Sequence, residues 1–405
     1  TRYWRDWSSD VCSSDLASSP SLQRFRVRSV VELKGEVHLK AQNAPSIQKD
    51  GKPSIARKAP VQSNTTLDYD EEFVLGDDDA STRGYQYFHE AKLTITVDRN
   101  ATNTSLRESC REIVKVPTVH GLLPAGLSSP LFHAERDLIE GSIDSIYLDQ
   151  ILTEKEVSIS DKWVMDRVAV ARLFHLDAVL DGDVTICLVE LDEEKAHLEV
   201  RGKLQATVRD VGTELEIKGK ALMDRKDGYV SWFAAQIDET REIGEAEPGF
   251  KAAIQIRVLR SPLESMTSGR SLAQVWKDAP TPEGAEMLQF QSDLGFYRFL
   301  ADRRWTTYRD NGEEATLRFI VSNRRVGQCN ITNLVDLQPG EQLTLEGFQA
   351  DIKRLAINTG RELMEASERL TRTSHRLLRV TLSGTIEGVE IRWMHYHISN
   401  DQGRR

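Results

Sequence analysis

Cysteine is scarce, with four in 405 residues, and no two stand as a C-x-x-C pair. Cys110, Cys187 and Cys329 are too few and too scattered for a disulfide framework or a four-ligand zinc site. A single Cys110–Cys187 bridge stays open. Long apolar runs are also missing. The longest, residues 168–176, is broken by Arg172 and His175 and falls short of the roughly 18 residues a membrane helix needs. The chain is therefore read as not membrane-spanning. Positive charge is in deficit: 53 Lys and Arg against 63 Asp and Glu leave a net charge of −10, which argues against nucleic acid as a partner. Local signatures of catalysis are absent as well. There is no P-loop, G-x-G-x-x-G, H-E-x-x-H, G-x-S-x-G or EF-hand loop, so neither an enzymatic activity nor a cofactor is expected.

What the sequence has in abundance is two-residue alternation of apolar and polar side chains, the pattern of half-buried strands. Phe25, Val27, Val31, Leu33, Val37 and Leu39 alternate with charged neighbours. Val61, Leu67, Tyr69, Phe73 and Leu75 repeat the pattern, as do Tyr85, Tyr87, Ala91, Leu93, Ile95 and Val97. A fourth strand is expected over 111–116, ending at Pro117, which cannot donate to a ladder. Residues 131–140 and 166–176 read as short helices, the second with Asp166 as N-cap. Four further strands follow, within 196–209, 215–221, 229–237 and 250–258, with a hairpin signal at Asp227-Gly228.

Long consecutive strands joined by short turns predict an antiparallel meander with one wet and one apolar face. Twist accumulates over so many strands, so the expected fold is α+β, mainly antiparallel β. It takes the form of a curved half-barrel or barrel with covering helices over 17–262. Residues 263–286, rich in Pro and Gly, read as a linker. From 287 to 405 a second domain is expected. Its strands fall at 296–308, 315–321 and 328–336, its helix at 345–358, and a hairpin at 377–382 and 388–399.

Three resemblances bear on this division. Residues 6–16, Asp6 to Leu16, resemble a translated frame of a sequencing adapter and are excluded from fold reasoning. The N-terminus is accordingly expected to be cut short, with any signal peptide lost, and the C-terminus is expected to be cut short because no closing helix or strand follows residue 399. The landmarks Tyr85-x-x-x-x-x-Ala91, Glu135-Arg136-Asp137-Leu138-Ile139, Ser160-Asp161-Lys162-Trp163 and Glu247-Pro248-Gly249 resemble uncharacterised planctomycete-type envelope proteins. In outline their β-rich shape is similar to LolA/LppX-type lipid-carrier half-barrels. Trp305, the helix at 345–358 and Ile391-Arg392-Trp393-Met394-His395-Tyr396-His397 resemble a PsbP-like α/β sandwich, a fold of binding and assembly modules. The first likeness implies an extracytoplasmic location, in periplasm or envelope.

Candidate site residues are few. Tyr69, Tyr85 and Tyr87 fall at odd positions and are read as sharing one face, where they line a ligand pocket or fill the core. His395 and His397, two apart on a strand, share a face and offer two imidazoles to a divalent metal if a third ligand such as His375 joins them. His133 and Glu135 invite an acid–base reading, against simple capping. Asp77, Asp78 and Asp79 are carboxylates for a hard cation, against a solvated turn. The expectation is a non-catalytic bacterial envelope or secreted protein that binds an apolar ligand or a protein partner through a curved sheet. The alternatives are a metal-dependent hydrolase centred on His395 and His397, and a structural scaffold.

Overall fold

The computed structural model describes residues 22–40, 55–76, 78, 80–119, 121–141, 143–292, 297–338, 341–357, 359–371, 374–400, 402, 403 and 405. Residues 6–16 lie outside them, as do Asp77 and Asp79. The chain divides into two compact units. One contains the residues up to Gln291 with Tyr297–Tyr308 and Leu317–Cys329, and the other contains 309–316 and the residues from Asn330 onward.

The first unit is built on one large, mainly antiparallel sheet of twelve strands. They are β1 (Leu22–Lys40), β2 (Ile55–Val74), β3 (Arg83–Val97), β4 (Asn100–Ser105), β5 (Glu112–Thr118) and β6 (Gly121–Gly126), then β7 (Lys162–Val164), β8 (Ala178–Leu191), β9 (Lys195–Val208), β10 (Val211–Asp224), β11 (Tyr229–Arg241) and β12 (Gly249–Pro262). The order is β6-β5-β3-β2-β1-β12-β11-β10-β9-β8-β7, with β4 paired to β3. Two meanders are thus joined where β1 meets β12, Val31 opposite Ile256. The edge strands β6 and β7 do not pair with each other, so the sheet is open and the expected closed barrel is not formed.

This order dictates the cover. β6 and β7 are consecutive in sequence yet lie at opposite edges, so the connection between them must cross the sheet. It does so on the apolar face, carrying α1 (His133–Glu140) and a 3-10 stretch, Ser145–Ile151. The helix α2 (Arg167–Leu173) follows β7, with Asp166 accepting from the N–H groups of Val168 and Ala169 as its sequence foretold. Leu131, Leu138, Ile139, Ile146, Leu148, Ile151, Val170 and Leu173 join Val27, Phe73, Phe88, Ile186, Leu198, Ile217, Phe233 and Ile256 in one contiguous core.

The segment expected to be a linker is no linker. Met266, Leu272, Val275 and Ala285 are buried against Tyr85, Val114 and Val116 on the opposite face of the sheet, forming a second core. Tyr85, Val114 and Val116 would otherwise bare an apolar patch to water, and the 263–286 strap shelters it. Met287–Gln291 also belongs to this unit: the N–H of Gln289 donates to Leu131 O at 2.8 Å, and Leu288 enters the main core.

In the second unit, Glu362–Leu370, Arg376–Ile386 and Val389–Ser399 form a three-stranded antiparallel sheet. The helix Leu345–Ala356 lays Phe348 and Ile352 on Leu378, Val380 and Leu382. No helix among the described residues is long and apolar enough to cross a membrane.

Candidate functional site

Three charged residues beneath the crossing segment occupy slots that strand alternation reserves for apolar side chains. In β2 the inward series is Leu67, Tyr69, Glu71, Phe73. In β12 it is Ile254, Ile256, Val258, Arg260, and in β5 it is Ile113, Lys115. All three are buried, and each faces the crossing segment. An isolated buried charge is strongly unfavourable, so each must find a partner there or lose its charge.

Arg260 is paired with Asp149 through two hydrogen bonds, at 2.8 and 3.0 Å. Asp149 also accepts from the N–H of Val230 at 2.7 Å, and the guanidinium lies 3.9 Å from the centre of the Phe25 ring. Lys115 Nζ meets Asp144 Oδ2 at 3.1 Å. Burial pushes the Asp144 carboxyl up, but Lys115 and His175 outweigh it and hold it below the usual range.

Glu71 is different. Its carboxylate accepts from Gln86 Nε2 at 2.7 Å and from Ser145 Oγ at 2.8 and 2.9 Å, both neutral donors. Ser145 has one proton to give, so the 2.7 Å contact with Tyr69 is made by the phenol donating to the serine. Burial first, then the nearby Asp144, push the Glu71 carboxyl up to about 7. Burial and Glu71 likewise raise the Tyr69 phenol. Between these groups lies a cavity of about 10 Å³, lined among others by Ser29, Tyr69, Gln86, Lys115, Asp144 and Ser145, room for about one water.

The three tyrosines do not share a face. In the β2–β3 register Asp68 faces Glu90 but Tyr69 faces Phe88, which leaves His89 as an extra residue on β3. This bulge reverses the odd–even sense of β3 relative to β2. Tyr69 lies under the cover with Phe88, ring centres 4.9 Å apart. Tyr85 and Tyr87 lie on the strap side, where the Tyr85 hydroxyl donates to Glu112 at 2.8 Å.

His397 is buried with its ring 5.9 Å from that of Phe348. Among the described residues neither of its ring nitrogens has a hydrogen-bond partner, nor does Nε2 of His395. Burial lowers both histidines, helped by Arg405 and Arg376 at His397 and by Arg361 at His395. Among the described residues no three His, Cys, Asp or Glu side chains stand together as a metal would require. Glu135 serves α1 by accepting from the N–H of Phe132 and clasping Arg107 at 2.7 Å. Burial and Arg136 hold His133 down at about 4. Asp78 closes a turn by accepting from the N–H of Ser81. Cys110, Cys187 and Cys329 are free thiols.

No known protein family matches the sequence, and no curated protein matches it. Solved structures to which it is weakly similar include DynF from the dynemicin biosynthesis pathway of Micromonospora chersina. That likeness has 6% identity and a TM-score of 0.16, covering 61% of this chain and 84% of that one. Another is Acinetobacter baumannii OccAB1, at 10% identity and a TM-score of 0.13 over 93% of this chain and 91% of that one. Likenesses this weak carry no argument about fold or function.

Proposed function

We propose that this chain is a non-catalytic, extracytoplasmic binding protein that takes an apolar ligand on the covered face of a curved, half-barrel-like sheet. The observation that carries the reading is how the cover is fastened. Residues 131–174 sit on an apolar sheet face yet are tied to it by buried polar contacts at Arg260–Asp149, Lys115–Asp144 and Glu71–Ser145. Such pairs add little net stability over apolar packing, but they fix one arrangement and release it when a partner is lost. The curvature is supported by a single core that joins Phe88 of β3 to Ile186 of β8, strands that are far apart in the sheet order. A ligand of ordinary size needs several hundred Å³, so it enters by displacing the cover.

The test is saturable binding of a fluorescent long-chain fatty acid to the full chain. Binding is expected, and Asp149→Asn is expected to speed it by loosening the cover. No saturable binding to either protein would make the covered face a permanent core and the chain a scaffold.

A further inference from the structure

The fastening has one member that has no salt-bridge partner of its own among the described residues, Glu71. The groups that act on Glu71 are Tyr69 from its own strand, Gln86 from β3, Arg260 from β12, and Asp144 and Ser145 from the covering side. Lys115 of β5 and His175, just beyond α2, act on Asp144, and Asp149 pairs with Arg260. Both cations are already taken, Lys115 by Asp144 and Arg260 by Asp149 through two bonds. Burial first, and Lys115 after it, lower His175 against the pull of Asp144. With Glu71 ionised, the carboxylates of Glu71, Asp144 and the partly exposed Asp149 outnumber Lys115 and Arg260; with Glu71 protonated, each of these cations has one carboxylate.

We infer that the contact of Glu71 with residues 144–145 is a proton-operated latch, closed when Glu71 holds a proton and loosened when it does not. This rests on the reading of residues 131–174 as a movable cover. The cavity of about 10 Å³ lined by Tyr69, Gln86 and Ser145, the direct neighbours of Glu71, has room for about one water. Ionisation leaves an uncompensated buried charge beside Asp144, and that charge is relieved when the cover lifts and water reaches it. The buried Glu71 carboxyl, raised to about 7, sets the change near neutrality.

The experiment is hydrogen exchange of the amides of 144–151 in the full chain from pH 5 to pH 8, corrected for the intrinsic exchange rate. Protection in the wild type is expected to fall roughly tenfold or more across this range. Glu71→Gln, which keeps an acceptor for Ser145 but cannot ionise, is expected to stay protected throughout. Asp144→Asn is expected to move the transition to lower pH, because one of the causes raising Glu71 is gone. A flat wild-type profile overturns the latch, and so does an undiminished pH response in folded Glu71→Gln. Should that variant not fold, the wild-type series decides alone. Fatty-acid binding on the same samples separates the two ideas. A titrating latch without binding leaves the latch and removes the ligand, whereas binding without titration removes only the latch.

Discussion

Glu71 and Glu72 are neighbours in β2 that turn to opposite faces of the sheet, and each holds down a different crossing segment. Glu71 accepts from Ser145 of the cover at 2.8 Å, while Glu72 accepts from the N–H of Leu272 in the strap at 2.5 Å and from Arg24 Nε at 2.9 Å. Both are fully buried. Glu71 has only neutral donors, whereas Glu72 is charge-paired with Arg24.

This division makes the two segments separately releasable. Glu72→Ala leaves the Leu272 N–H and Arg24 without their acceptor and is expected to cost about 1–3 kcal/mol. Limited proteolysis should then cut within 263–286 sooner while 131–174 is unaffected. Ser145→Ala should do the reverse. Equal acceleration at both segments in either variant would contradict the division.

The Arg260–Asp149 pair is asymmetric. The Arg260 side chain has no solvent exposure and that of Asp149 has 21%. Removing Asp149 strands a buried guanidinium, and Asp149→Ala is expected to cost about 3–5 kcal/mol. Arg260→Met keeps the volume over Phe25 and leaves a carboxylate that still reaches water and the Val230 N–H, so it should cost less. Urea unfolding of the two variants would give this order, and equal losses would refute it.

Glu71 sets the sign of one pH dependence. Its folded value, about 7, lies above the ordinary 4.5, so the folded state binds the extra proton between them. That contribution is full below about 4.5 and is lost as pH rises through about 7. His133 works oppositely: it is held down at about 4, so its contribution is present above 6.5 and lost as pH falls toward 4. Glu71→Gln relative to wild type should therefore gain about 2.5 kcal/mol between pH 5 and pH 8. Urea unfolding at the two pH values checks this; a constant difference would sink it.

His397 offers a test of the metal alternative in the second unit. With neither ring nitrogen hydrogen-bonded and Phe348 against the ring, His397→Leu removes unsatisfied polar atoms from an apolar site. Thermal unfolding is expected to show unchanged or higher stability, by up to about 1–2 kcal/mol. Marked destabilisation, or loss of a zinc affinity that the wild type possesses, would instead favour a ligand role.

Much of the sheet was legible because alternation is a local property. The inward faces of β1, β9, β10 and β12 follow from their residues one by one. β8 was harder to read. Its register shifts at Val179/Asp181 and Leu188/Glu190 break the two-residue period. Gly182, at φ +85°, sits where a Cβ would meet Lys203 O at 1.9 Å, so its backbone conformation favours glycine. The site was legible in part. Glu71, Lys115 and Arg260 each interrupt an apolar series, a signal present in the sequence. The shared face of Tyr69, Tyr85 and Tyr87 failed because one extra residue in β3 reverses the count.

The amino-acid order by itself determined the strand-rich class, the inward faces of β1, β9, β10 and β12 and the Asp166 cap, since each depends on residues a few positions apart. Only the tertiary structure decided that β1 lies beside β12, that the β6–β7 connection becomes a cover and 263–286 a strap, and which buried charges find partners. Those outcomes rest on contacts such as Asp149 with Arg260, 111 residues apart, and Glu72 with Leu272, 200 apart. A side chain's local pattern says that it is turned inward, but the group that meets it there is supplied by a distant part of the chain.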